Sequence, residues 1–475
     1  MRRSGWAPPT PTADCANLSH WSSAPRSTRC SKPLFREAAM SDRILFSRRI
    51  FLSRGAQLLS VAGTLPLFLD RSARAMAAEH AANPQAAAGK DRVLVVVQLA
   101  GGNDGLNTVV PFRSDDYYKA RPRLAIARDA AIKLTDDLGV HPSLKGLAKL
   151  YGDGRLAIVQ SVGYPNPNRS HFRSTDIWAT AEPQKVASSG WLGRYFDSCC
   201  KGEDPSPDAA SRPADSSAAI ALTGEPPQTL QGEKFLPLVF RSPQALTYRP
   251  GSSNRAVADA FDKINSPDAM APATRPADAD QTTQFLQRTA LTARLYADRI
   301  RQSTTRVQNK ATYPATRFAA DLKLLAQMIA DGLPTRVYYV SIGGFDTHSQ
   351  QADRHARLLS ELGDALAAFA ADLDALGHLQ RTTIMTFSEF GRRVAENSSA
   401  GTDHGEAAPM FILGGSVKAG IHGPAPDLTP AKLHRGDVPY AVDFRQVYAT
   451  VLRNWLGADD RAILGGGFQT LPLLA

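Results

Sequence analysis

The sequence predicts an α/β protein in which a central, mainly parallel sheet is flanked by helices. Three observations carry that expectation. Residues 92–99 (RVLVVVQL) form an unbroken, Val-rich apolar run, as a strand buried on both faces requires. Strand-like and helix-like patterns then alternate from residue 91 to the end of the chain. A long amphipathic stretch at 351–378 separates two β-branched runs at 336–342 and 382–387.

In order, the first strand ends at Ala100-Gly101-Gly102, and a second apolar strand covers 156–162. Residues 201–216 are rich in Ser, Pro and Asp and read as an exposed loop, as does 264–279. Between them, 219–222 and 236–240 are short strand candidates. Helices are expected over 281–305 and 315–331. In the latter Phe318, Leu322, Leu325 and Ile329 share one face and Gly332 stops the helix. The strand at 336–342, the helix at 351–378, the strand at 382–387 and a short strand at 410–413 complete one domain, 91–475, with no internal repeat.

The 475 residues carry 55 Lys+Arg against 45 Asp+Glu, a net charge of +10, with 43% hydrophobic residues and four cysteines. Twelve basic and four acidic residues lie before residue 78, so a surplus of eight belongs to the N-terminus. With the charge so placed, nucleic acid is not an expected partner. Ser47-Arg48-Arg49-Ile50-Phe51-Leu52, an apolar core at 58–69 and small residues at 73–77 have the layout of a twin-arginine export signal. The expected organisation is therefore a disordered 1–39, which Met40 marks as a mis-called start, a signal peptide at 40–77 and an Ala-rich linker at 78–90. The export machinery is an expected partner and the periplasm or exterior the destination. The apolar core is too short to be a stable membrane span. Cys15 and Cys30 would leave with the N-terminus. Cys199 and Cys200, adjacent in sequence, are expected to be structural or surface thiols.

The chemistry collects after the strands, where α/β sheets bind ligands. The first strand leads to Asn103-Asp104, the strand at 336–342 to Asp346 and His348, the strand at 382–387 to Glu389, and the loop before Met410 carries Asp403-His404. Imidazoles and carboxylates suit divalent metal ions. Ser170, in a turn-rich segment opening a helix, is a candidate nucleophile, and Arg173 one turn on a candidate anion-binding group. Each has a plainer reading: turn chemistry for Asp104, N-caps for Ser170 and for Asp346–His348, and an Arg392 ion pair for Glu389.

Gly101-Gly102-Asn103-Asp104-Gly105, Arg169-Ser170-His171-Phe172, Gly344-Phe345-Asp346-Thr347-His348, Ser388-Glu389-Phe390-Gly391-Arg392 and Gly401-Thr402-Asp403-His404-Gly405 together resemble one bacterial family. That family is exported by the twin-arginine route, has no characterised function and belongs to the alkaline phosphatase/sulfatase-like superfamily. The resemblance implies a three-layer fold, two metal ions, and cleavage of a small anionic phosphate or sulfate ester by a Ser, Thr or formylglycine nucleophile. Carried over, it implies Ser170 as nucleophile, Asp346, His348 and His404 on a zinc-type ion, and Asp104 and Glu389 on a second. Phe390 stands where the superfamily has a histidine, so the second ion is expected to be weak, harder (Mg²⁺, Mn²⁺ or Ca²⁺) or missing. His355 competes with His348, and the lack of a Cys-x-Pro-x-Arg segment argues against a formylglycine sulfatase. The rival expectation is a non-catalytic exported binding or assembly protein with a degenerate metal site.

Overall fold

In the computed structural model, residues 91–199, 216–246 and 296–475 are described. The expectations for 1–39, 40–77 and 78–90, for most of both exposed loops, for the start of the helix at 281–305 and for the Cys199–Cys200 side chains lie outside them.

Among the described residues the main sheet has nine strands: β1 (Val93–Ala100), β5 (Leu156–Gly163), β6 (Ala219–Ala221), β7 (Leu238–Val239), β8 (Val337–Gly343), β9 (Thr382–Phe387), β10 (Ala408–Gly414), β11 (Gly420–His422) and β12 (Val442–Asp443). Their order is β11-β5-β10-β9-β1-β8-β6-β7, with β12 also on β5. β1 pairs in parallel with both β8 and β9, which explains its unbroken apolar run: neither face meets water. β10 runs antiparallel to both β9 and β5. A three-stranded antiparallel sheet, β2 (Val109–Val110), β3 (Ile132–Lys133) and β4 (Gly139–Val140), lies off the main one.

Helices cover both faces. Val93, Val95, Val97 and Leu99 of β1 face a core shared with α3 (Lys145–Gly152), α6 (Arg317–Ala330) and α7 (Gln351–Ala375). Leu94 and Val96 face the opposite core, shared with α4 (His171–Thr180), α5 (Trp191–Cys199), α8 (Phe444–Thr450) and α9 (Asp460–Leu464). That is the period-2 alternation of a sheet between two helical layers. The short α1 (Gly105–Thr108) and α2 (Asp115–Ala120) follow the first strand. Residues 296–306 are helical, as expected for the end of the 281–305 segment. No helix among the described residues is long and apolar enough to cross a membrane.

The expected strands all form, with ends within three residues of the sequence reading. The two-residue β2, β3, β4 and β12, the three-residue β11 and the helices α1, α2, α3, α5, α8 and α9 were not foreseen. A two-residue strand has no period to read.

Candidate metal centre

The topology dictates where the loops meet. β1, β8 and β9 are parallel, so the segments after Ala100, Gly343 and Phe387 leave the same edge. β10 is reversed, which brings the segment before Ala408 to that edge, and β5, reversed again, delivers residues 164–171 there. The chain turns sharply on Gly101 and Gly102, at φ 117° and 76°. A Cβ on Gly101 would strike the backbone nitrogen of Asp346, and one on Gly102 the Phe390 ring. The glycine pair is thus what lets the β1, β8 and β9 loops close on one another.

At their meeting point Asp346 is surrounded by imidazoles. Its Oδ1 lies 3.0 Å from His348 Nε2 and 3.2 Å from His404 Nε2, and its Oδ2 lies 3.5 Å from His171 Nε2. The Nε2 atoms of His348 and His404 are 2.9 Å apart. His171, Asp346 and His404 form a group able to hold a metal ion, with ligand atoms within 4.8 Å of one another. Asp346 and His404 are therefore common to two overlapping trios. Ligand atoms on a tetrahedral zinc at about 2.0–2.1 Å sit about 3.3 Å apart, within the spread of these separations.

The far side of each ring is tied down. His404 Nδ1 lies 2.7 Å from the Arg169 carbonyl oxygen, which only accepts, so Nδ1 carries the hydrogen and Nε2 presents a lone pair. His348 Nδ1 lies 3.2 Å from the Asp403 carboxylate, with the same consequence. Asn397 donates from Nδ2 to both Asp403 Oδ1 and the His348 carbonyl, fixing that arm. Two lone pairs facing each other beside a carboxylate call for a cation or a proton among them, and the donors match a zinc-type ion. Burial, the largest influence on Asp346, opposes its charge, yet the Arg392 guanidinium 2.6 Å away and the neighbouring histidines hold its pKa down at about 2. His404 is shifted below its ordinary value, chiefly by burial, which favours the neutral imidazole a ligand must be.

Of the residues picked out in the sequence, the structure thus brings Asp346, His348 and His404 together. Glu389 is adjacent but faces His171, with Oε1 2.9 Å from Nδ1 and 2.8 Å from the Gly101 nitrogen. Ser170 is the N-cap residue of α4, yet its hydroxyl makes no capping hydrogen bond and is exposed, so the plain N-cap reading does not describe it. Its two neighbours both reach the centre, Arg169 through its carbonyl and His171 through its ring.

Asp104 and Arg173 do not join this group. Asp104 does cap a short helix, with Oδ1 3.4 Å from the Asn107 nitrogen, but its main partner is Arg121, whose Nη1 lies 2.6 Å from Oδ2 with both side chains fully buried. Gln351 donates to the same Oδ2. The Arg173 Nη2 donates to the carbonyls of Glu182, Pro183 and Lys185, pinning the loop after α4 instead of an anion. Arg392, the sequence's expected partner for Glu389, is fully buried against Asp346 and the Gly102 and Thr402 carbonyls.

One functional candidate, His171, was missed, and for Asp403, named with His404 in the sequence, the partner was not foreseen. His171 is in the quoted Arg-Ser-His-Phe motif, and a histidine in the first turn of a helix beside a candidate nucleophile was the available signal. Asp403 precedes His404 directly, but its partner His348 is 55 residues away, a pairing no local spacing announces.

His355 is kept apart from the centre. It is buried, with Nε2 2.9 Å from Asn103 Oδ1, and its ring packs edge-on against His141. Burial pulls both histidines down to about 4 from 6.5. A folded pKa below the unfolded one means the unfolded chain binds more protons, so stability falls as pH drops from about 6.5 to about 4. The expected loss is about 3 kcal/mol for His355. Urea unfolding at pH 7 and pH 4.5 should show this, and His355→Gln should narrow the difference between the two.

A family profile described as "Protein of unknown function (DUF1501)" matches residues 91–470. No curated protein matches the sequence. Among solved structures, the PsFucS1 sulfatase from Pseudoalteromonas sp. is 14% identical, with 82% of this chain and 73% of that chain covered at a TM-score of 0.35. The C-terminal periplasmic domain of EcEptC from Escherichia coli, in complex with Zn, is 10% identical over 68% of this chain and 72% of that one, with a TM-score of 0.29. The alkaline phosphatase from the Antarctic bacterium TAB5 is 10% identical over 68% and 92%, with a TM-score of 0.26.

Proposed function

This chain belongs to the DUF1501 family of proteins of unknown function, and we propose that it is a metal-dependent hydrolase of phosphate or sulfate esters with Ser170 as nucleophile. The observation that carries this reading is the convergence of imidazole Nε2 atoms on Asp346, reached on either side of Ser170 by the Arg169 carbonyl and the His171 ring, while the Ser170 hydroxyl caps nothing. His348, His404 and Asp346 would hold a zinc-type ion, with His171 on the other side of the same carboxylate. Such an ion would withdraw charge from the oxygens of a phosphoryl or sulfuryl group.

Ser170 Oγ would form a bond to the phosphorus or sulfur of the ester while the ester oxygen leaves and takes up a proton. Water would then cleave the serine ester, returning the hydroxyl and releasing phosphate or sulfate. Negative charge on the transferring group would lie at the N-terminus of the ten-residue α4, where free backbone N–H groups favour it. With Arg173 engaged elsewhere, this helix end replaces the guanidinium that the sequence suggested. The export signal read at 40–77 assigns the work to the periplasm or beyond.

The test is turnover of an aryl phosphate and an aryl sulfate by the mature protein, supplied with Zn²⁺, Mg²⁺, Mn²⁺ or Ca²⁺. Ser170→Ala should lower the rate at least about 10³-fold while leaving metal content unchanged. Turnover that survives the substitution refutes the serine mechanism. A second reading, a non-catalytic exported binding protein, is favoured by Phe390 and by the Arg121–Asp104 pair, which occupy the positions assigned to a second ion. One tightly held ion without turnover would support it.

A further inference from the structure

We propose that Glu389 is a positioning residue: its carboxylate sets the tautomer and ring plane of His171 and so aims Nε2 at the Asp346–His404 centre. The assignment rests on the reading that this centre binds a divalent ion, and it departs from the sequence expectation of Glu389 as a ligand.

Glu389 is 3% exposed and stands two residues beyond the end of β9. Ser388 beside it is clamped to the end of β1, donating to the Leu99 carbonyl at 2.8 Å and accepting from the Asn103 nitrogen at 2.9 Å. The carboxylate is held as firmly. Oε1 accepts from the Gly101 N–H at 2.8 Å and faces His171 Nδ1 at 2.9 Å. An ionised carboxylate only accepts, so the hydrogen of that contact belongs to Nδ1. Nε2 is then left to face Asp346 Oδ2 at 3.5 Å.

The ring plane is fixed from the side by Phe390. Its ring centroid lies 4.9 Å from that of His171 and 4.6 Å from that of His404, and the two imidazoles are themselves 4.4 Å apart. The aromatic side chain at the position where a second histidine ligand was expected therefore packs against both imidazoles. Glu389 Oε2 is buried without a hydrogen-bond partner. A carboxylate kept in place with one oxygen unpaired is explained by what the other oxygen does, and Oε1 serves the glycine turn and His171 alone. An outer carboxylate of this kind orients a metal-bound imidazole and raises its basicity.

Two measurements on the mature protein test this. The first is the tautomer of His171 by ¹⁵N NMR of the metal-free protein, assigned with His171→Gln. The wild type should show hydrogen on Nδ1, and Glu389→Ala should shift His171 toward hydrogen on Nε2, with Glu389→Gln as the fold-preserving variant. The second is zinc titration against a chelator. Glu389→Ala should weaken binding about 10–100-fold without changing the number of ions per chain. An unchanged tautomer, or the loss of one whole ion from the stoichiometry, overturns the assignment. If the wild type binds no zinc, the hydrolase reading fails, while the tautomer result still decides the role of Glu389.

Discussion

Asp346→Asn should abolish stoichiometric zinc binding, lowering affinity by at least about 10²-fold, and take ester turnover with it. The carboxylate is the one group that all three histidines share, and both of its oxygens are used. An amide of the same shape removes the negative charge that would balance a cation held among the imidazole lone pairs. It also leaves the fully buried Arg392 facing a neutral partner. Equilibrium dialysis with zinc, read against a folded-state control by circular dichroism, checks the result. His348→Ala and His171→Ala then resolve the two trios: the histidine whose loss costs more affinity is the tighter ligand.

The largest stability effect is expected at Arg121. Its guanidinium and the Asp104 carboxylate are both fully buried and 2.6 Å apart, and Arg121 also donates to Asn107 Oδ1 and the Val394 carbonyl. Burial, the largest influence, opposes the charge on Asp104, but Arg121, with smaller help from His355 and Gln351, holds the carboxyl below its ordinary pKa. Arg121→Met would leave that carboxylate buried with its countercharge gone, a loss of about 3–5 kcal/mol. The shift in urea midpoint measures it. The paired variant Arg121→Met/Asp104→Leu should recover part of the loss, because no lone charge is then buried.

How much of this was legible in the sequence follows from the range of each interaction. β1 and β9 could be read because burial on both faces writes itself into consecutive residues. The meeting of Asp346 and His348 with His404 could be read because the first two follow a strand and the third precedes one, and the reversed β10 brings both loops to one edge. The fate of Asp104 could not: Arg121 lies 17 residues away in a stretch with no motif, and nothing local distinguishes a carboxylate bound for an ion from one bound for a guanidinium. The same limit hid the pull of the 182–185 carbonyls on Arg173 and the hold of Glu389 on His171, 218 positions away. Charged residues at strand ends were identifiable as a set, and their partners were decided by tertiary packing.

The reversed strand β10 has a consequence for the life of the chain before it is complete. Among the described strands, β5 pairs only with β10, β11 and β12, all of which come after residue 407. As the polypeptide leaves the ribosome, residues 156–171, Ser170 included, must wait for the segment that begins at residue 408 before they gain a place in the sheet. The Arg169–His404 contact, spanning 235 positions, closes no earlier. A nascent or truncated chain therefore carries the serine and two of the histidines without the geometry that joins them. The contacts that join the Ser170 segment to Asp346 and His404 thus form only once both parts of the chain are present.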